Sequence, residues 1–154
     1  MSIEKAKVHL EKFGLADRIR EFSVSSATVA LAAEALGTEE ARIAKSLSFI
    51  TPDGPILVVC AGDAKVDNHK YKEKFGTKAK MISFEEVEPL IGYAVGGVCP
   101  FGVNAGVKVY LDDSLRRFDK VYPAAGTAAS AVELTVEELE RASCALSWVD
   151  VTKL

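Results

Sequence analysis

Apolar residues first recur along this chain at helical spacing. Ile3, Ala6, Leu10 and Phe13 lie on one stripe with Gly14 behind them, which predicts an opening amphipathic helix. A short strand is expected over residues 19–23. Thr28 to Leu36 reads as a second helix, ended by Gly37. Ser25, Ser26 and Thr28 stand before it as caps rather than nucleophiles, because no Gly-x-Ser-x-Gly elbow surrounds them. Thr38-Glu39-Glu40 predicts a further short helix with acids at its positive end, running out near Lys45.

The rhythm then changes. Leu47-Ser48-Phe49-Ile50 and Ile56-Leu57-Val58-Val59-Cys60 flank Thr51-Pro52-Asp53-Gly54, the punctuation of two paired strands and a turn. Asp67 is placed to cap a helix through Phe75 that Gly76 ends, and Ser83-Phe84-Glu85-Glu86 has capping-box spacing for a helix to Ile91. Strands are expected over 107–111, 121–122 and 131–134. Thr135-Val136-Glu137-Glu138 opens a last helix, and Trp148-Val149-Asp150-Val151 a last strand. With no internal repeat, low-complexity tract or linker, the pattern predicts one α+β domain over residues 1–154 with a mixed sheet.

Composition narrows the class. The 154 residues are 49% hydrophobic and 27% charged with a net charge of −3, the profile of a globular chain rather than a disordered or fibrous one. A chain of this size buries roughly 68–70% of its unfolded surface without needing staples. No apolar run approaches the ~20 residues that cross a bilayer, and the opening is polar, so the expected location is the cytoplasm without membrane association. The acidic balance argues against a protein that coats duplex nucleic acid. It leaves room for a local RNA contact, since Lys65, Lys70, Lys72, Lys74, Lys78 and Lys80 face only Asp67 and Glu73 within one segment of net charge +4. Taken alone, such a run reads as a solvated face.

The candidate chemistry is sparse. Gly96-Gly97-Val98-Cys99-Pro100-Phe101-Gly102 can bring bare backbone to a ligand, or serve as a tight connection between strands. It has neither a P-loop ending nor a dinucleotide fingerprint. Lys45, flanked by Ala44 and Leu47, could present a point charge to a phosphate or a developing oxyanion. Cys60, Cys99 and Cys144 are too far apart for a zinc motif and read as free thiols. Cys99 as a nucleophile would need a base, and the two histidines are His9 and His69. Asp63, Asp67 and His69 offer metal-ligand types without a recognised pattern, so no metal and no cofactor is expected.

In order and spacing, three stretches resemble the YbaK/prolyl-tRNA-synthetase-associated family of aminoacyl-tRNA editing domains. They are Thr28–Gly37 followed by Ile43-Ala44-Lys45-Ser46-Leu47; the Gly-x-x-x-Pro loop Gly96-Gly97-Val98-Cys99-Pro100; and the glycine turn and strand from Gly126 to Leu134. The resemblance covers nearly the whole chain. It implies an irregular, barrel-like mixed sheet wrapped by helices, and a free-standing enzyme that hydrolyses the ester joining a wrong amino acid to a tRNA. A proline pocket rejects smaller amino acids weakly, since a methylene is worth only about 1–3 kcal/mol, and a second hydrolytic sieve is the remedy.

By the same resemblance Lys45 is the catalytic residue, and Gly96, Gly97, Val98, Cys99, Pro100, Gly126 and Thr127 bind substrate. The implied partners are the aminoacylated end of a mischarged tRNA and a prolyl-tRNA synthetase. Cysteinyl-specific relatives carry a lysine pair where this chain has Val103-Asn104-Ala105-Gly106, and polar groups in the region of Ala124 and Ala131. Alanine or another small residue is therefore implied as readily as cysteine, with tRNA(Pro) as the carrier. The rival classes are a binding module of the same fold that does not turn over, and a thiol hydrolase using Cys99.

Overall fold

The computed structural model describes residues 2–23 and 28–154. Its helices begin and end where local side-chain chemistry satisfies their ends. In α1 (Ser2–Glu11), Ala6 and Leu10 are fully buried. α2 (Val29–Leu36) starts at Thr28, whose hydroxyl accepts from the Leu31 N–H at 3.1 Å, and stops at Gly37. Ser25 and Ser26 lie outside the described residues. α3 (Asn68–Phe75) is capped by the Asp67 carboxylate, which accepts from the His69 and Lys70 N–H groups. α4 (Phe84–Ile91) carries Pro89; at its start Ser83 donates to the Glu86 carboxylate instead of accepting from the backbone. α5 (Val136–Ser143) has the full capping box between Thr135 and Glu138.

One predicted helix is replaced. The stretch from Thr38 to Lys45 forms only a 3-10 turn, Glu40–Arg42, before the chain becomes extended at Ile43. The cause is tertiary: Ile43 and Ala44 pair in parallel with Tyr122 and Pro123, and Ile43 packs on Ala32 and Ala33 of α2. Lys45 therefore sits inside a strand, not at the end of a helix.

The strands are β1 (Ile19–Glu21), β2 (Ile43–Thr51), β3 (Gly54–Ala61), β4 (Lys65–Val66), β5 (Lys108–Asp112), β6 (Lys120–Pro123), β7 (Ser130–Val132), β8 (Leu134–Thr135), β9 (Ser147–Val149) and β10 (Thr152–Lys153). Six form a curled, mixed half-barrel in the order β8-β6-β2-β3-β5-β9. Two small antiparallel pairs, β1–β7 and β4–β10, form separate sheets. The stretch expected as one strand over 131–134 is thus divided between β1 and β6 as partners. Among the described residues no helix is long and apolar enough to cross a membrane.

β2 organises the molecule. Its residues alternate, so Ala44 and Ile50 join the main core while Leu47 and Phe49 join a second cluster on the opposite face with Tyr71, Val149 and Val151. β3 pairs with it from Ala44 to Thr51 along one edge. The other edge is covered in two pieces. β6 takes Ile43 and Ala44, and the extended segment 80–82 takes the far end, with Ile82 N–H to the Ser48 carbonyl at 3.1 Å and Ile50 N–H to the Lys80 carbonyl at 2.9 Å. Lys45, Ser46 and Leu47 lie in the gap.

The far side of the sheet is fastened by one buried carboxylate. Asp112, at the end of β5, accepts from the Val151 N–H at 2.9 Å, the Thr152 hydroxyl at 2.7 Å and the Ser114 N–H at 2.9 Å. Removing it orphans donors that have no water to turn to. Asp112→Ala is expected to lower stability by about 2–4 kcal/mol in urea melts with an unchanged m-value. Asp150→Ala, at an exposed neighbouring position, should cost less than about 0.5 kcal/mol.

Candidate active site

The gap in the β2 edge opens into a cavity of about 440 Å3. Its floor is β2 from Ile43 to Ser48; α2 contributes Val29 and Ala32, β6 and its sequel Tyr122 and Ala124, the glycine loop Gly96 and Val98, and β7 Ser130 and Ala131. Four other elements therefore meet around three residues of one strand.

Lys45 lines this cavity and is half-buried. Its Nζ donates to the carbonyl oxygens of Gly62, at 3.3 Å, and Ala64, in the turn that follows β3. An ammonium has three donors, so one remains for a ligand. Asp63 lies between those two carbonyls, yet its carboxylate is turned to a two-pronged pair with Arg117, at 2.6 and 3.1 Å. The Arg117 guanidinium holds the Asp63 carboxyl below the usual carboxylate range. Lys45 is thus positioned by neutral carbonyls.

Two hydroxyls on β2 also line the cavity, at positions that alternate with Lys45 along the strand. Ser46 Oγ is buried without a hydrogen-bond partner among the described residues. Ser48, only 7% exposed, lies two residues along on the same face and also lines the cavity. Their signal in the sequence was the placing of polar residues at alternate positions in an otherwise apolar strand.

The glycine loop divides its labour. Gly96 has φ +95° and lines the cavity with Val98. Gly97 instead lies against the neighbouring turn, where a Cβ would come within 2.5 Å of the Gly126 carbonyl oxygen and 2.8 Å of the Thr127 Cα. Gly126 and Thr127 are therefore next to the loop, and Thr127 is tied to Ser130 at 2.8 Å. Pro100 is buried. Cys99 is fully buried in the main core, outside the lining of the cavity, and burial pushes its thiol up to about 12. Nearby, the Tyr93 hydroxyl donates to the Phe101 carbonyl.

His9 does not serve Cys99 as a base in this arrangement. Its Nε2 is bonded to the Ala142 carbonyl at 2.6 Å, and its ring rests on Phe13 and Phe101. His69 is on the surface, paired with Glu73 at 2.8 Å. Asp63, Asp67 and His69 each have separate partners, and no group of three or more His, Cys, Asp or Glu converges among the described residues.

Comparison with known proteins decides the family. The model of the aminoacyl-tRNA editing domain matches residues 24–142. The chain belongs to the aminoacyl-tRNA editing domain family. It is 48% identical over 154 residues to the uncharacterized protein YwhH of Bacillus subtilis (strain 168), across 99% of this chain and 98% of that one. It is 29% identical over 109 residues to EbsC of Enterococcus faecalis (strain ATCC 700802 / V583), a proposed Cys-tRNA(Pro)/Cys-tRNA(Cys) deacylase, across 70% of this chain and 66% of that one. The crystal structure of a proposed trans-editing enzyme for prolyl tRNA synthetase superposes with a TM-score of 0.89 at 31% identity, covering 99% of this chain and 98% of the other.

The editing domain's cavity also has features that sequence patterns did not disclose. α2 supplies a wall through Val29 and Ala32, and Tyr122 closes one side. The rim carries Met81, Phe84 and Val95. Gly97→Ala should destabilise the fold by at least about 2 kcal/mol, because backbone rather than a flexible side chain must give way; thermal melts measure it. In the native protein iodoacetamide should modify Cys144, which is exposed, and spare Cys60 and Cys99 until denaturant is added, as read by mass spectrometry.

Proposed function

We propose that this protein is a trans-acting deacylase of mischarged tRNA, with residues 1–154 acting as one editing domain on a small amino acid, alanine or cysteine among them, carried by tRNA(Pro). The observation that carries this reading is Lys45 held at the cavity wall by the Gly62 and Ala64 carbonyls, with a donor to spare. The family and its trans-editing members support the reaction class. The similar EbsC carries a name that includes tRNA(Pro).

In this reading the aminoacyl group enters the cavity beside β2. Ser46 Oγ, which has no partner among the described residues, hydrogen-bonds to it. A water attacks the ester carbonyl carbon, and the spare Lys45 N–H supports the oxyanion that forms. Collapse of the tetrahedral centre breaks the bond to the ribose oxygen, which takes up a proton released by the attacking water, so the products are free amino acid and uncharged tRNA. The apolar walls, Val29, Ala32, Ala124 and Ala131, suit a small side chain and exclude bulk water. Cys99 has no part in the step, and a prolyl-tRNA synthetase is the natural source of the substrate.

Single-turnover hydrolysis of Ala-tRNA(Pro) and Cys-tRNA(Pro), with Pro-tRNA(Pro) as control, tests this. Lys45→Ala should slow hydrolysis by ~10²–10³, equivalent to about 3–4 kcal/mol of lost transition-state stabilisation. Lys45→Arg should rescue it incompletely, since a planar fork does not replace a compact point charge. No hydrolysis of any mischarged tRNA by the intact protein would reduce it to a binding module. Undiminished rates in a folded Lys45→Ala variant would overturn the catalytic role.

A further inference from the structure

Among the described residues seven large apolar side chains are exposed, and three of them, Met81 at 59%, Phe84 at 74% and Val95 at 50%, stand on the rim of this one cavity. Such a cluster marks a contact site. Phe84 is the only aromatic among the seven. Its ring touches no other ring among the described residues, while its neighbours are fixed: Met81 bridges to Phe49 of β2, and Ile82 and Val87 are buried in the main core. The ring is therefore presented to solvent from a rigid base, at the first position of α4.

The surrounding charges select the occupant. Lys78 and Lys80, just before the rim, are exposed and, among the described residues, in no ion pair. Glu85 and Glu86 follow Phe84, which disfavours a phosphate at the start of α4 and leaves that role to the lysine side. A flat, uncharged group joined to a phosphate fits this pattern. If an ester occupies the cavity, its ribose and base must emerge at the rim by covalent continuity.

We infer that Phe84, backed by Met81, is a stacking platform for an unpaired nucleobase at the end of an RNA strand, with Lys78 and Lys80 meeting the phosphate that precedes it. Stacking on an aromatic ring is tolerant of base identity and independent of the aminoacyl group. The inference rests on the deacylase reading for its substrate but assigns a separate subsite.

Two measurements test it. In the first, kcat/KM on mischarged tRNA should fall about tenfold in Phe84→Ala and Phe84→Leu, mostly through KM, while Phe84→Trp stays within twofold of the unmodified protein. In the second, Phe84→Trp emission should change on titration with an uncharged single-stranded RNA trinucleotide, and far less with the same strand made abasic at its 3' end. The second readout needs no turnover, so it decides the inference even where deacylation itself fails. An unchanged Phe84→Ala overturns the platform, and an unchanged Phe84→Leu shows plain apolar contact and overturns stacking. Equal response to the abasic strand does the same. Loss of self-association in Phe84→Ala, with unchanged trinucleotide binding, would assign the rim to a second copy of the chain and overturn the inference as well.

Discussion

The backbone pairing of β2 is the constraint on which the molecule turns. A strand buried on both faces must satisfy its N–H and C=O groups along both edges. β3 does this along one edge from Ala44 to Thr51, whereas the other edge is served by two short partners separated by Lys45, Ser46 and Leu47. An unpaired stretch in the middle of a sheet is tolerated when something polar can reach it, which is the requirement that a substrate site also makes. Among the described residues no strand covers this part of the edge, and the elements that cover it instead are the walls of the cavity.

This explains why the wall elements are so diverse. α2 packs through Ala32 and Ala33 on Ile43, so the same small residues that let a helix approach the sheet also give the cavity its smooth side. The glycine loop is held by the absence of side chains where Gly97 lies on Gly126 and Thr127, and that contact sets Gly96 and Val98 against the opening. Rigidity around an otherwise open space comes from packing beyond the cavity, including the mutually tilted rings of Phe49, Tyr71 and Phe75, with centroids 5.0 and 4.8 Å apart. A preorganised polar site needs such backing, because a donor that moves with its ligand supports no charge in a transition state.

What could be read from the residues alone follows from the range of the interactions involved. The caps Thr28, Asp67 and Thr135 act within three residues of themselves, and each is where local chemistry predicts it. The hairpin of β2 and β3 was legible for the same reason. The helix expected before Lys45 failed because its competitor, parallel pairing with Tyr122 and Pro123, lies almost eighty residues away. β4 escaped notice because a two-residue strand has no period, and its existence depends on β10. Lys45 and the glycine loop were visible as motifs, and the family resemblance joined them; the different tasks of Gly96 and Gly97 were not, since a close backbone approach leaves no mark on composition. Ser46 and Ser48 interrupt an apolar run, but that Ser46 Oγ is buried without a partner among the described residues emerges only in the fold.

The pairing of Asp63 with Arg117 has a consequence for how this sequence can drift. Asp63 is between the two carbonyls that hold Lys45, so a carboxylate left without Arg117 would be the nearest counter-ion for the lysine ammonium. Position 117 contributes nothing to the cavity wall, yet it decides whether the charge at position 45 faces the cavity or is cancelled within the turn. Loss of the guanidinium would therefore be tolerated best in descendants that have also neutralised residue 63. Residues 63 and 117 thus act as one unit, in which a surface arginine keeps a carboxylate from a lysine that the arginine does not touch.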